Sequence, residues 1–520
     1  MPSLRLLSVV LLVGMGATAA AVGGVGESGE SDSRLTGSAL TARPQPSATG
    51  TAPATVTRVA GALTVDAAAT AAGDPTATSS PTTTSGAAFD VRAENKRSGT
   101  ADWQITKARG TKAGLAGYVG AVSVLPGQPV PLFVSGTGAV RVRALRIGWY
   151  GGVGARQVWE GTLQAAPAGA DPQSWPSAGS VDTTGWPEGH YLLRLDQGDA
   201  SRYLPLTVRS ADNAGRVVVL TSPLTWVAEN ATGSARKVSF DRPYGAGYGA
   251  AGFLKQDAGL VQLAERTGRR IGWITDYDAA TDPSLLAGAA AIVTGGDSQY
   301  WPTALRTAIQ AAGDAGTNLA FFGAGTGARR IGLVDAGRAV QIKAAKLVTS
   351  VQLTGLRPSC SVTPTAAEGS TGAEDAGWVV ANNDWWGYRD TGLKTNDVLP
   401  GLVSGRVDRA ATAAAGSDTE IQVLSFTRTT CANDATSAAQ SGVYLVRPSG
   451  AGVFAVGTGQ WGCALTNTCT NQAGEPVKLS KKTRRVASRI TRNVVRAFAD
   501  KAAGKNLTAE GTAAQYTALR

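Results

Sequence analysis

Four consecutive side chains able to donate or accept hydrogen bonds, Asp297, Ser298, Gln299 and Tyr300, follow an apolar strand at Ala291–Val293 and the pair Gly295–Gly296. In open α/β sheets, ligands bind at the carboxyl ends of strands, so "AIVTGGDSQYWP" has the layout of an active-site edge. A second carboxylate pair, Asp276 and Asp278 in "WITDYDAAT", also follows a strand. It reads either as an acid–base pair or as a helix-capping turn. "GAGTG" (323–327) offers backbone N–H groups to an anion but lacks the lysine and serine of a P-loop. "NNDWWGY" (382–388) reads as a platform for a sugar ring or as aromatic packing between domains.

The rest of the chain limits the chemistry available to these groups. Only one histidine occurs, His190, at the start of an alternating strand far upstream. It reads as a structural residue, and multi-histidine metal sites are excluded. Without a partner histidine, none of the four cysteines reads as a nucleophile. Four cysteines suggest two disulfides in an exported protein. Cys463 and Cys469 flank a short, easily closed loop, which leaves Cys360 with Cys431; the other two connectivities stay open.

Export also fits the N-terminus. Arg5, an apolar run and then small residues make residues 1–21 a signal peptide, with an uncleaved membrane anchor as the competing reading. The predicted location is secreted or cell-surface. Residues 22–88 are Ala, Thr, Ser, Pro and Gly with few large apolar side chains, a composition too poor in apolar surface to offset ordering entropy. They are predicted to be a disordered linker. The net charge of +11 suits an anionic surface such as a cell-wall polymer. No nucleic-acid-binding signature accompanies it.

The elements that must position the polar residues fall into two blocks. Residues 89–211 alternate in short runs between Gly/Pro turns, which predicts an immunoglobulin-like β-sandwich, with a bulge where the phase of "AVRVRALRI" slips at Ala144. From 212 to 505, strands "RVVVL", "RIGWIT", "AAIVTG" and "NLAFFG" alternate with amphipathic helices, which predicts a parallel sheet covered on both faces. "GFLKQDAGLVQLAERTG" reads as one continuous helix. A closing helix presents Val486, Ile490, Val494 and Phe498 on one face. Residues 506–520 read as a frayed tail.

Several segments, in order, resemble the N,N-dimethylformamidase β (large) subunit-like family: "VVLTSPLTWVAEN", "VSFDRPYG", "GFLKQDAGLVQLAERTGRRIGWITDYD", "AIVTGGDSQYWP", "NLAFFGAGTG" and "GVFAVGTGQWGCAL". The resemblance spans about residues 100–500. It implies a glutamine-amidotransferase-like α/β domain behind the β-sandwich. It further implies hydrolysis of small amides at a mononuclear iron held by two tyrosines and a glutamate. These are hard anionic donors suited to a ferric ion that polarises a carbonyl and acidifies water.

Carried over residue by residue, the family's "TWQAYN" is "TWVAEN", so its tyrosine falls on Glu229. "DRPY" is intact, with Asp241, Arg242 and Tyr244. "GHDEYW" becomes "GGDSQYW", which puts the glutamate on Gln299, the aspartate on Ser298 and the histidine on Asp297. "GANTG" is "GAGTG", with Gly325 replacing asparagine. Replacing a carboxylate by a neutral amide weakens any hold on a cation.

Two readings follow from the resemblance. In one, the pocket keeps its scaffold without its metal and serves binding or scaffolding at the cell surface. In the other, Glu229, Tyr244 and Asp297 form a rearranged oxygen site for iron and the chain hydrolyses C–N amide bonds, with Glu229, Asp297 and Gln299 as the catalytic positions. A third reading has the β-domain and basic surface engaging wall polysaccharide. A homo-oligomer or an accessory subunit is compatible with each.

Overall fold

The computed structural model describes residues 89–231, 235–362, 377–412, 419–434, 436–469 and 477–517. The predicted signal peptide and linker lie outside the described residues.

Strand β1 (Val217–Thr221) is buried along its whole length, as a strand covered on both faces must be. It pairs in parallel with β2 (Ile271–Thr275) on one side and β3 (Ala291–Thr294) on the other. β4 (Asn318–Phe321) lies parallel beyond β3. The antiparallel strands β5 (Ile421–Thr430) and β6 (Ser437–Val446) then lead into β7 (Gly452–Ala455), which runs parallel to β4. The order across the seven-stranded sheet is β2-β1-β3-β4-β7-β6-β5. The chain leaves β1 for β2 on one side and returns to β3 on the other, which opens a crevice at the carboxyl ends of β1 and β3.

The two-residue period of a strand sorts the core into two faces. Val217, Val219, Val293 and Phe322 pack against Leu260, Val261 and Ala264 of α2 (Ala258–Arg266), together with Val486, Ile490 and Val494 of a C-terminal helix. Val218, Leu220, Ile292 and Phe321 turn to the other face, towards α1 (Pro223–Glu229), α3 (Asp276–Thr281) and α4 (Thr303–Asp314). On α4, Leu305 and Ile309 are fully buried at i,i+4 spacing, each worth roughly 1.5–3 kcal/mol. The C-terminal helix, α5, spans Lys481–Ala497.

The predicted continuous helix before β2 is interrupted. Phe253–Asp257 forms a π-helical turn, and α2 begins only at Ala258. The predicted frayed tail is corrected as well. Ala513 is buried, Thr512 exchanges hydrogen bonds with Ile421 and Val423 of the edge strand, and the Tyr516 hydroxyl donates to Ala381 O. These contacts cover the sheet edge.

Upstream, a five-stranded sheet (Ser123–Val124, Ala200–Val208, Gly189–Gln197, Gly138–Ile147 and Ala155–Ala165, in that order) and a three-stranded sheet (Ala116–Val119, Pro129–Ser135, Gly179–Asp182) share one core. The bulge lies where the phase slips. Ala144 opposes Trp159 and Leu145 opposes Gln157, so Val158 on the partner strand is the extra residue.

This β region is bonded firmly to the α/β region. Arg146 and Glu265, both fully buried, meet at 2.6 Å. Arg146 also donates to Glu188 O and to the Tyr150 hydroxyl, and Glu265 accepts from Trp149 N–H. Disulfides join Cys360 to Cys431 and Cys463 to Cys469. No helix among the described residues is long and apolar enough to cross a membrane.

Candidate functional site

Five segments meet around the loop after β3, at the carboxyl ends of β1, β3, β4 and β7. The first is α1, which opens on Pro223, whose fixed φ suits a first helical turn. Thr225 and Glu229 lie one turn apart on it and share a face. Thr225 Oγ1 accepts from the backbone N–H groups of Gln299 (3.0 Å) and Tyr300 (3.2 Å), which fixes the loop after β3 beside Glu229.

The π-helical turn is the second segment. Gln256 binds this loop twice: its carbonyl accepts from Gly296 N–H at 3.0 Å and its Oε1 from Asp297 N–H at 3.2 Å. The closeness explains the glycines. A Cβ on Gly296 would fall 1.6 Å from Gln256 Oε1.

The third and fourth segments are the Gly323–Gly327 loop and the strand Gly405–Ala410. Gly325 has φ +64°, and its N–H donates to Asp408 Oδ2 at 2.8 Å. The backbone group that reads as an anion cradle thus holds a carboxylate of the same chain. Arg406 lies two residues from Asp408 on one strand, hence on the same face. A Cβ on Gly325 would lie 2.7 Å from Arg406 Cδ and 3.5 Å from Gln299 Cγ, so these side chains converge. The loop after β7 is the fifth segment. A Cβ on Gly459 would lie 3.1 Å from Asp297 Oδ1, and Gly459 N–H donates to Arg406 O.

The electrostatics follow from this crowding. Surrounding protein pushes the Glu229 carboxyl up to about 7, and Asp297 adds to the rise. Arg406, Lys255 and Arg329 oppose it. Glu229 still reaches solvent from the end of α1. Burial raises Asp297 too, against Arg406 and Lys255. Burial lifts Asp408 to about 7, against the Gly325 N–H and Arg406, with Asp297 adding to the rise. Asp297 Oδ1, Asp408 Oδ1, Arg406 Nε and both amide atoms of Gln299 are buried with no hydrogen-bond partner among the described residues.

Tyr244 stands apart from this cluster. Asn230, which caps α1, donates to Pro243 O and accepts from Gly245 N–H, tying the segment that carries Tyr244 to the end of α1. There Glu229 and Tyr244 line a cavity of about 210 Å³ with Trp226 and Phe253. Burial raises the Tyr244 hydroxyl well above its ordinary range, and the carboxylate it senses is Asp276. Among the described residues no group of three His, Cys, Asp or Glu could hold a metal ion.

The family model for "N,N-dimethylformamidase beta subunit-like, C-terminal" matches residues 141–471. The chain belongs to this family. A search of curated proteins gives no match.

Other sequence-derived candidates of this N,N-dimethylformamidase β-subunit-like chain resolve into structural roles. Ser298 Oγ accepts from Trp301 Nε1. Asp241 pairs with Arg338. Asp278 completes a capping box with Thr275, and Asp276 accepts from Leu224 N–H. Trp385 is buried and stacks on Phe454 at 5.2 Å, so the aromatic loop is core. His190 faces Thr207 Oγ1 at 2.8 Å, and burial lowers its pKa to about 3, which keeps it neutral.

Sequence reasoning missed Asp408, Arg406, Lys255 and Gln256. For the last two a signal existed. "KQD" is three consecutive polar residues inside an otherwise apolar helical run, and π-turns of this kind recur at functional sites. Nothing local marks Arg406 or Asp408, which reach the site from a strand more than a hundred residues after Asp297.

Proposed function

We propose that this is an exported family member whose strand-end site is remodelled: protein cations stand where the family holds a metal, and the site binds a small polar ligand at the cell surface. The observation carrying the reading is that Arg406 and Lys255 share the field of Glu229 and Asp297, while Tyr244 senses Asp276 instead. Export is supported by two disulfides, which persist in oxidising compartments. The β-sandwich and the glutamine-amidotransferase-like architecture belong to the same proposal, supported by two sheets on one core and a doubly covered, mainly parallel sheet.

A ferric ion fits this donor set poorly. Of the two phenolates and one carboxylate that the resemblance implies, Tyr244 remains, Glu229 replaces a tyrosine, and Gln299 supplies a neutral buried amide on a side chain that converges with Arg406 around Gly325. The positive charge of Arg406 and Lys255, which Glu229 and Asp297 both sense, opposes a trivalent cation there. The test is elemental analysis of the purified full chain and titration with ferric ion, followed by visible absorption. The proposal expects substoichiometric metal and no tyrosinate-to-iron band. Stoichiometric iron whose band vanishes in Tyr244→Phe would overturn it.

One observation favours a second reading, hydrolysis of C–N amide bonds without iron. Glu229 faces solvent with a pKa of about 7, where a general base works best. In that case Glu229→Gln abolishes turnover of simple amides at pH 7; a parent protein inert towards formamide and acetamide removes this reading.

A further inference from the structure

The hairpin of β5 and β6 sorts large and small side chains by strand. Phe426 lies opposite Ser441, and Arg428 lies opposite Ala439. An aromatic ring and a guanidinium therefore project from one strand about 7 Å apart, while the facing strand offers only small side chains on that side. The result is a trough. The strands Leu356–Val362 and Gly405–Ala410, with Tyr516, close it into a cavity of about 620 Å³. The Cys360–Cys431 disulfide lies in its wall and ties the hairpin to the first of these strands.

The charge of this cavity has one sign. Arg409 and Arg428 line it, and among the described residues no Asp or Glu does. Arg428 already makes an interaction of its own. Arg409 forms no ion pair and no side-chain hydrogen bond among the described residues. Its direct opposite on the neighbouring strand is Arg357, a second cation without an ion pair among them. Like charges facing each other across a sheet are destabilising, so an anion at Arg409 relieves the pair. Arg409 lies an odd number of residues from both Arg406 and Asp408, so it turns to the other face of its strand, away from the strand-end site. The remaining wall is aromatic. The Phe426 and Tyr516 rings lie 5.4 Å apart, and the Tyr516 hydroxyl is engaged with Ala381 O, so ring surface is what Tyr516 offers.

We infer that this cavity is a second ligand site, separate from the strand-end crevice, and that it takes a small aromatic monocarboxylate, with the carboxylate on Arg409 and the ring against Phe426 and Tyr516. One uncommitted guanidinium matches one negative charge, and its planar fork receives a carboxylate through two parallel hydrogen bonds. A phosphate monoester brings nearly two charges to the same single fork. A neutral or cationic ring leaves Arg409 unmatched. The size also fits, since cavities of roughly 300–1,000 Å³ enclose small organic ligands.

The test is equilibrium dialysis of the full chain against benzoate, with benzamide as the uncharged isostere, acetate as the anion without a ring, and phenyl phosphate as the dianion. Benzoate should bind about 10- to 100-fold more tightly than benzamide or acetate, the worth of one charge-assisted contact. Arg409→Gln should bring benzoate down to the level of benzamide without lowering the melting temperature, because it also removes the like-charged facing pair. Ala439→Leu fills the trough from the opposite strand and should abolish binding of both ring probes with Arg409 still in place. No benzoate bound at about 1 mM, benzamide bound equally well, or phenyl phosphate bound more tightly than benzoate overturns the inference. So does benzoate binding that survives both variants. Benzoate binding lost in Arg406→Gln but kept in Arg409→Gln also overturns it, and leaves the reading of the strand-end site intact.

Discussion

Asp408→Asn tests the electrostatics of the site because opposite readings of Asp408 predict opposite signs. Asp408 is 5% exposed, and burial lifts its carboxyl from the ordinary 3.8 to about 7. The folded chain therefore holds this proton more tightly than the unfolded chain. The stabilisation is complete below about pH 4, is lost as pH rises through about 7, and leaves a penalty for burying charge above that. Three pKa units correspond to roughly 4 kcal/mol between the two limits. Asparagine keeps an oxygen to accept the Gly325 N–H and removes the charge. At pH 8 the variant should be more stable than the parent by up to about 4 kcal/mol, and at pH 4 the two should nearly coincide. About 430 residues unfolding as one unit, at roughly 2 cal/mol/K each, turn this into a melting-temperature gain of about 4–5 °C. The assay is thermal unfolding of both proteins from pH 4 to 8. If Asp408 instead lives as an ionised partner of Arg406, the variant strands a buried guanidinium and melts lower at pH 8. That outcome, or a difference flat across pH, refutes the reasoning.

Other perturbations give equally definite results. Arg146→Met leaves Glu265 buried without its counter-ion and should cost about 3–5 kcal/mol, whereas Arg146→Met/Glu265→Leu should recover most of it, a non-additivity read from chemical unfolding. Replacing Cys360 and Cys431 by serine opens a 71-residue link and should cost about 4 kcal/mol, against about 2 kcal/mol for the 6-residue Cys463–Cys469 link, compared by urea unfolding. Gly296→Ala places a methyl 1.6 Å from Gln256 Oε1 and should displace the Asp297 loop, seen as loss of ligand-site resonances and about 1–3 kcal/mol of stability.

The α/β block was legible because hydrophobic period survives in a single sequence. Strands 271–275, 291–294 and 318–321, and the apolar face of α4, follow from the order of Val, Ile, Leu and Ala. The phase slip at Ala144 marked the bulge but not which strand carries the extra residue, since that depends on the register of the neighbour. The π-turn at Phe253–Asp257 was hidden because one inserted residue hardly disturbs a helical pattern. In the site, the loop from Asp297 to Tyr300 was visible from its polar run after two glycines. Its companions Arg406 and Asp408 were not, because they arrive by tertiary pairing from outside the alternating βα units. Sequence grouped Glu229, Tyr244 and Asp297 through resemblance alone. In the fold Glu229 shares a cavity with Tyr244 and the field of Asp297, whereas Asp297 senses Arg406 and Lys255 and Tyr244 senses Asp276.

That arrangement decides what kind of ligand the crevice can favour. Lys255, Arg329 and Arg406 bring three cationic side chains into the field of Glu229. Of the opposing carboxyls, Glu229 and Asp408 sit near 7 and are each about half protonated there. The balance around Asp297 is therefore positive, and it becomes more so as pH falls. A site that exists to hold a trivalent cation needs the opposite balance, with anionic oxygens in excess and kept ionised. Buried orphan groups of both kinds, Asp297 Oδ1, Asp408 Oδ1 and Gln299 Oε1 as acceptors and Arg406 Nε and Gln299 Nε2 as donors, suit a ligand that hydrogen-bonds in both senses. Such groups are costly to leave unmatched. The proposed remodelling would thus be more than the subtraction of one glutamate. Where the resemblance implies a carboxylate, Gln299 supplies a neutral amide, and Arg406 Nε, Asp297 Oδ1 and Asp408 Oδ1 all stay without a hydrogen-bond partner among the described residues, so a ligand rather than a metal is what this crevice can satisfy.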